Sequence, residues 1–315
     1  MHLSELVARF AQQPAHGVPD WMLGFYKRQA ISFADGLTDT QTQVCWFQSR
    51  NFTLDLRLPL EQHQVLAKPL AACSVEELQQ LANYEGWEAL CAWEGDTLSW
   101  HTDTSFQVHN RWPEPGVLKR IGNCMIEFAP SGAYVEDWRL QSSASGALIG
   151  LRLLEDRELE SGIVRHRGGG LIVCGDYAAM VLGRAQPLQS EPKGAMLRDM
   201  VARLGDDPQW LNRAFNFETS VAQGSLVDGY PVTLSTCAAR VSQPLLPLDG
   251  FDRLEDGVHV SQRLRIDGID RERIFAIDTL EPLVHFAQAT GFNGDAAQWY
   301  EREAPTLSRY TRPVV

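Results

Sequence analysis

The sequence predicts a mainly β protein with a few flanking helices, built as two antiparallel barrels or as one large continuous barrel. Three observations carry this. Short runs with apolar side chains at every second position recur along the chain. Turn signals separate them at short intervals: Glu94-Gly95-Asp96, Pro130-Ser131-Gly132, Asp228-Gly229, Asp249-Gly250, Asp256-Gly257 and Asp267-Gly268. Each half also presents strand, helix and then a group of further strands, which suggests a division at residues 1–158 and 159–315. Closed sheets leave no exposed edge, a condition that either arrangement meets.

Taken in order, Leu3, Leu6, Val7 and Phe10 form a short helical stripe over residues 3–13, closed by Pro14. Residues 17–43 are mixed, with an Asp35-Gly36 turn signal. Phe52, Leu54, Leu56 and Leu58 then share one face of a strand, Thr53, Asp55 and Arg57 the other, and Pro59 ends it. Ser74 with Glu77 makes a capping box for a helix carrying Leu78 and Leu81, which Gly86 is expected to terminate. Strands are expected over Trp87–Trp93, Thr97–Asp103, Leu118–Phe128, Ala133–Leu140 and Ala147–Leu154. In the second half Leu171–Leu182 reads as a strand and Lys193–Phe215 as a helix, with Met196, Met200, Val201 and Leu204 in one stripe. Phe215–Ala222, Tyr230–Cys237, Val258–Ile266 and Arg273–Asp278 read as strands, and Asp295–Glu303 as a last helix. Gly168-Gly169-Gly170 precedes a strand, so it reads as a flexible turn; it offers no helix N-terminus to a phosphate.

Composition narrows the function. A chain of 315 residues suggests about two domains. With 28 basic and 40 acidic side chains its net charge is −12, which disfavours nucleic acid and anionic membranes as partners. No stretch approaches the roughly 20 apolar residues of a membrane helix, because the best candidate, Gly169 to Leu182, is short and contains Asp176. Glu5 and Arg9 interrupt the apolar residues at the N-terminus, so a signal peptide is not expected and a cytoplasmic location is. The six cysteines show no Cys-x-x-Cys spacing and read as small buried hydrophobes. The eight histidines show no ligand spacing, so no metal is expected, and no cofactor motif is present.

Two segments carry a resemblance. Trp46-Phe47-Gln48 followed by Phe52-Thr53-Leu54-Asp55-Leu56-Arg57-Leu58-Pro59, and Glu127 followed by Tyr134-Val135-Glu136-Asp137-Trp138, resemble intracellular tandem lipocalin-like proteins of the calycin type. The resemblance implies paired barrels and an internal cavity more than a reaction. The Gly-x-Trp signature of secreted lipocalins is absent, so their function is not implied.

The densest polar-aromatic constellation lies between Trp100 and Arg139. Tyr134, Glu136 and Trp138 share a strand face, with Glu127 in the preceding run. Aromatic walls around a few polar groups suit a ligand cavity, and a carboxyl among aromatics is a candidate acid or base. His101, Glu127 and Glu136 are therefore the candidate catalytic groups. Trp100, Asp103, His109, Arg111, Tyr134 and Trp138 are the candidate ligand contacts. The plainer readings are an exposed strand histidine at 101, cross-strand ion pairs of the glutamates with Arg139 or Arg120, and tryptophans as barrel core. Glu218 is expected to pair with Arg184 or Arg240. The leading function is a cytoplasmic protein holding a small, partly apolar or aromatic molecule in the first barrel, without a cofactor. The rivals are a cofactor-independent isomerase, lyase or dehydratase using the same cavity, and a scaffold with a filled core. Nothing in the sequence excludes a homodimer. Both ligand readings require an internal cavity lined by residues 97–140, and a solidly packed barrel would remove them.

Overall fold

Alternation of apolar and polar side chains favours antiparallel strands joined by tight turns, and that is what the chain forms. A computed structural model describes residues 1–111, 113–188 and 195–286, with positions 298, 301 and 302 beyond them. Eight strands close into an antiparallel barrel: β1 (Gly24–Phe33), β2 (Thr42–Gln48), β3 (Phe52–Pro59), β4 (Glu85–Glu94), β5 (Thr97–Ser105), β6 (Gly116–Ile121), β7 (Cys124–Phe128) and β8 (Tyr134–Leu140). Closure comes from pairing β1 with β8, from Tyr26 opposite Leu140 to Phe33 opposite Tyr134.

The second sheet is also antiparallel and has eight strands: β9 (Gly146–Glu158), β10 (Val164–Cys174), β11 (Tyr177–Arg184), β12 (Glu218–Gln223), β13 (Val232–Ser235), β14 (Phe251–Arg253), β15 (His259–Ile266) and β16 (Ile269–Val284). Its order is β13-β12-β11-β10-β9-β16-β15-β14. Among the described residues it is a sheet with β13 and β14 at its ends, where a second closed barrel was one expectation. The mainly β class with flanking helices is what the structure has.

Both faces of this sheet are buried. Leu171 and Val173 of β10 join one apolar cluster and Ile172 and Cys174 join another, as a period of two demands. Helix α1 (Leu3–Arg9) opens the chain yet packs on the first of these faces through Leu3, Leu6 and Val7. The Met1 ammonium donates to the Phe251 carbonyl at 2.6 Å. The other face meets the outer wall of the barrel, where Phe52, Leu54, Leu56 and Leu58 of β3 are all buried.

Small residues let the two layers approach. A Cβ at Gly86 would land on Thr219 Oγ1, one at Gly150 on Ser49 Oγ, and one at Gly168 on Thr104 Oγ1. Polar clamps fix the contact. Asp278 of β16 accepts from Ser49 Oγ at 2.5 Å and from Asn51 Nδ2 at 2.9 Å, while Arg50 makes two 2.8 Å bonds to Glu281.

Several elements differ from the sequence reading. Residues 17–43 hold β1 and the start of β2. Leu118–Phe128 is a hairpin, because Gly122 takes a φ of 59° and turns the chain. Leu171–Leu182 is likewise split, between β10 and β11. The helix expected over 193–215 is two, α3 (Leu197–Leu204) and α4 (Pro208–Ala214), the second started by Asp207 as N-cap and Pro208 in its first turn. Helix α2 (Val75–Leu81) has the expected Ser74–Glu77 capping box but ends at Ala82. Gly86 belongs to β4 and serves close packing, and Gly168–Gly170 lies within β10 beside a register shift instead of forming a turn. The helix expected over 295–303 lies outside the described residues, apart from positions 298, 301 and 302.

The contact at Gly86 is directly testable. Gly86→Ala should lower the free energy of unfolding by about 1–3 kcal/mol, because backbone and Thr219 must part. Urea denaturation measures it, and an unchanged midpoint would contradict the close approach.

Candidate functional site

Outward leucines on β3 leave Asp55 and Arg57 pointing into the barrel. They pair with each other, Arg57 Nε lying 2.9 Å from Asp55 Oδ1, and both are buried. On the opposite wall Glu127 of β7 stands directly across from Glu136 of β8. Glu136 is paired with Arg28 of β1 at 2.8 Å, and Arg28 also reaches Asp39 at 2.8 Å. A bulge in β1 after Arg28 shifts the register there. Glu127 has no such ion pair among the described residues, though Arg57 pulls on it from farther off. It accepts a hydrogen bond from Trp138 Nε1 at 2.9 Å and a longer one from the Tyr134 hydroxyl at 3.3 Å.

These groups surround a cavity of about 20 Å³, whose walls also include Trp46, Trp87, Trp100 and Asn110. That is room for one water. The Trp46 ring meets Trp100 and Trp138 edge-on, with centroids 5.8 and 5.0 Å apart. The Trp100 Nε1–H is buried and has no acceptor among the described residues.

Burial away from water pushes the Glu127 carboxyl up to about 8, and repulsion from Glu136 adds to it. Burial also raises Asp55 to about 6, held back by the adjacent Arg57. Tyr134 is raised by burial and by both glutamates. At neutral pH the lumen thus holds a largely protonated carboxyl within a charged network.

The barrel wall is thinnest between β5 and β6, which pair only at Thr97–Val117 and Leu98–Gly116. Residues 106–111 follow β5, and Asn110 reaches the cavity. Gln107 Nε2 anchors this segment to the carbonyls of Ala82 at 2.9 Å and Tyr84 at 2.7 Å. Arg111 pairs with Glu85 at 2.7 Å. From the second sheet Arg184 donates to the carbonyls of Ser105, Phe106 and Ala214 at 2.7–3.0 Å and lies over the Phe106 ring. With no carboxylate among these contacts, burial lowers Arg184 to about 10.

The structure brings Glu127, Glu136, Tyr134, Trp138 and Trp100 around one cavity. It does not bring His101 there. That residue is exposed and pairs with Leu90 on β4, since its neighbour Trp100 takes the inward side of β5. His109 and Arg111 line a separate space of about 10 Å³ beside Glu85. The side chain of Asp103 lies outside the described residues. The expected partners of the glutamates differ too. Arg139 pairs with Asp137 at 2.8 Å, and Arg120 donates to the Tyr26 hydroxyl at 2.7 Å. Glu218 pairs with Arg240 at 2.9 Å, one of the two expected partners. Sequence reasoning missed Asp55, Arg57 and Arg28. The alternation in 52–58 had placed Asp55 and Arg57 on one face, and two opposite charges across from Phe52 and three leucines was the available signal; Arg28 had none. Among the described residues no three His, Cys, Asp or Glu side chains gather to hold a metal, and no described helix is long and apolar enough to cross a membrane.

No family model matches the chain, and no curated protein does. Among solved structures, the uncharacterized protein YLR301w of Saccharomyces cerevisiae aligns over 80% of this chain and 96% of its own, at 12% identity and a TM-score of 0.43. That similarity carries no argument about family or function.

The raised Glu127 carboxyl predicts a pH dependence. Below about 4.5 both folded and unfolded chains hold this proton. As pH rises the unfolded chain releases it first, so stability declines up to a pH of about 8 and then levels. Glu127→Gln should therefore gain on the wild type by on the order of 3–4 kcal/mol between about pH 5 and about pH 9. Urea unfolding at both values checks this; an equal difference at both would place Glu127 at an ordinary value.

Proposed function

We propose that the first barrel is a binding site for a compact, partly apolar molecule, in the manner of the intracellular tandem lipocalin-like proteins. The observation that supports it best is a neutral-leaning carboxyl, Glu127, set among Tyr134, Trp138 and the unpaired Trp100 indole. A barrel that served only as a core would gain more from apolar filling, because buried charges contribute little net stability even when paired. Perturbed carboxyls in a cavity are functional candidates for the same reason. The closed eight-stranded antiparallel barrel supports the family reading. A charged lumen and the small cavity narrow it.

Space limits the guest. With about 20 Å³ enclosed, anything larger than water enters by displacing that water and lifting residues 106–111 from the mouth. The cost of lifting is the Gln107 and Arg111 contacts and the Arg184 bond to the Phe106 carbonyl. Once inside, a flat apolar body meets Trp46 and Trp100. A hydrogen-bond acceptor on the guest faces Trp100 Nε1–H and the protonated Glu127, and a donor faces Asp55.

A second reading is acid–base catalysis without a cofactor. It is favoured by two carboxyls, Glu127 and Glu136, facing each other in unlike surroundings, one among aromatics and one on Arg28. His101, exposed on the outer wall, has no part in that version.

Native mass spectrometry of the protein purified from its own host tests the binding reading. The expected spectrum shows a retained small molecule that denaturation releases and that Trp100→Leu fails to retain. A bare chain in the wild type, or equal retention by Trp100→Leu with a wild-type fold by circular dichroism, would contradict it.

A further inference from the structure

The barrel and the second sheet do not meet along their whole length. Between β1–β2 on one side and β11–β13 on the other runs a cleft of about 490 Å³. It is much larger than the lumen cavity, within the range of small-molecule sites, and shares no lining residue with the lumen. Two aromatic rings, Phe25 and Tyr177, stand in its otherwise mixed lining. Phe25 is stacked on Phe47 with centroids 4.3 Å apart, and Tyr177 leans on Phe25 at 4.8 Å. Val221 and Leu234 continue the apolar surface.

Two polar groups stand beside this aromatic pair. Lys27 is exposed, its Nζ lies 5.8 Å from the Phe25 ring, and it has no ion-pair partner among the described residues. The Tyr177 hydroxyl has no hydrogen bond among them either. Three of the other polar side chains here are engaged: Gln43 and Gln64 both donate to the Pro59 carbonyl, at 3.2 and 3.0 Å, and Thr233 donates to the Val221 carbonyl, while Gln62 and Gln223 are exposed at the edge. Glu61 supplies the one carboxylate in the lining. In a chain of net charge −12, where most described arginines sit on carboxylates, an unpaired ammonium beside an aromatic surface is unusual. It leaves a site complementary to an anion with a ring.

We propose that this cleft binds a flat aromatic molecule carrying a single carboxylate. The ring lies on Phe25, Tyr177 and Leu234, and the carboxylate takes charge-assisted hydrogen bonds from Lys27 Nζ and the Tyr177 hydroxyl. The site is independent of the lumen and stands whether or not the lumen binds anything.

Isothermal titration calorimetry of the full chain with 2-naphthoate, and with uncharged 2-naphthamide as its isostere, tests this. Saturable naphthoate binding is expected, about tenfold tighter than the amide, which corresponds to one charge-assisted hydrogen bond. Lys27→Gln should reduce naphthoate to the level of the amide, Tyr177→Phe should weaken it several-fold, and Glu127→Gln should leave it unchanged. Lys27 is exposed, so its variant keeps the fold. Absence of saturable binding, wild-type affinity in Lys27→Gln, or a loss in Glu127→Gln that moves the probe to the lumen would each overturn the proposal.

Discussion

Eight strands closed into a barrel leave a lumen only wide enough for side chains, and here that narrow space holds charge. Arg28 and Arg57 face Asp55, Glu127 and Glu136. Burial makes each ion costly unless it is paired, so Arg57 takes Asp55 and Arg28 takes Glu136. The third carboxyl, Glu127, has no ion pair of its own among the described residues, only the more distant pull of Arg57, and keeps its proton into the neutral range. Removing one partner of a buried pair would strand the other at a cost of about 3–5 kcal/mol. The second sheet repeats the device on a smaller scale, where Asp156 accepts from Arg271 at 2.8 Å and Arg273 at 2.9 Å.

Filling the lumen with charge dictates the outside of the barrel. Along β3 the polar positions point in, so the leucines point out and need a second layer to cover them. That layer is the β9–β12 side of the second sheet, brought close by Gly86, Gly150 and Gly168 and clamped at Asp278 and Glu281. The same layer supplies Arg184, whose bonds to the Ser105 and Phe106 carbonyls hold the chain where it leaves β5 for the mouth of the barrel. Closure of the lumen thus depends on the sheet outside it. Where the two layers part, the cleft at Lys27 and Tyr177 remains.

Much of the fold was legible because local signals agreed with it. The capping box at Ser74 and Glu77, the alternation in Phe52–Leu58 and the Asp-Gly turns each report short-range chemistry. Gly86 and Gly168 misled because their reason is a neighbour far along the chain, Thr219 in one case and Thr104 in the other. Strand β1 escaped notice because Lys27, Arg28 and Gln29 break its apolar alternation, and Arg28 is inward only because the lumen is charged. The site was half visible. Period-two reasoning grouped Tyr134, Glu136 and Trp138 on one face, and all three reach the cavity. The pairing of Arg28 with Glu136 joins residues 108 positions apart and left no local trace.

Charge balance in the lumen turns on the protonation of one side chain. Carbon-13 NMR of the Glu127 carboxyl, assigned through Glu127→Gln and followed across pH, reads it without reference to any ligand. A titration centred near 8 in the folded protein is the predicted result. A midpoint near the ordinary glutamate value of 4.5 would contradict the account, because it would mean that water or a cation reaches the lumen and the carboxyl is ordinary.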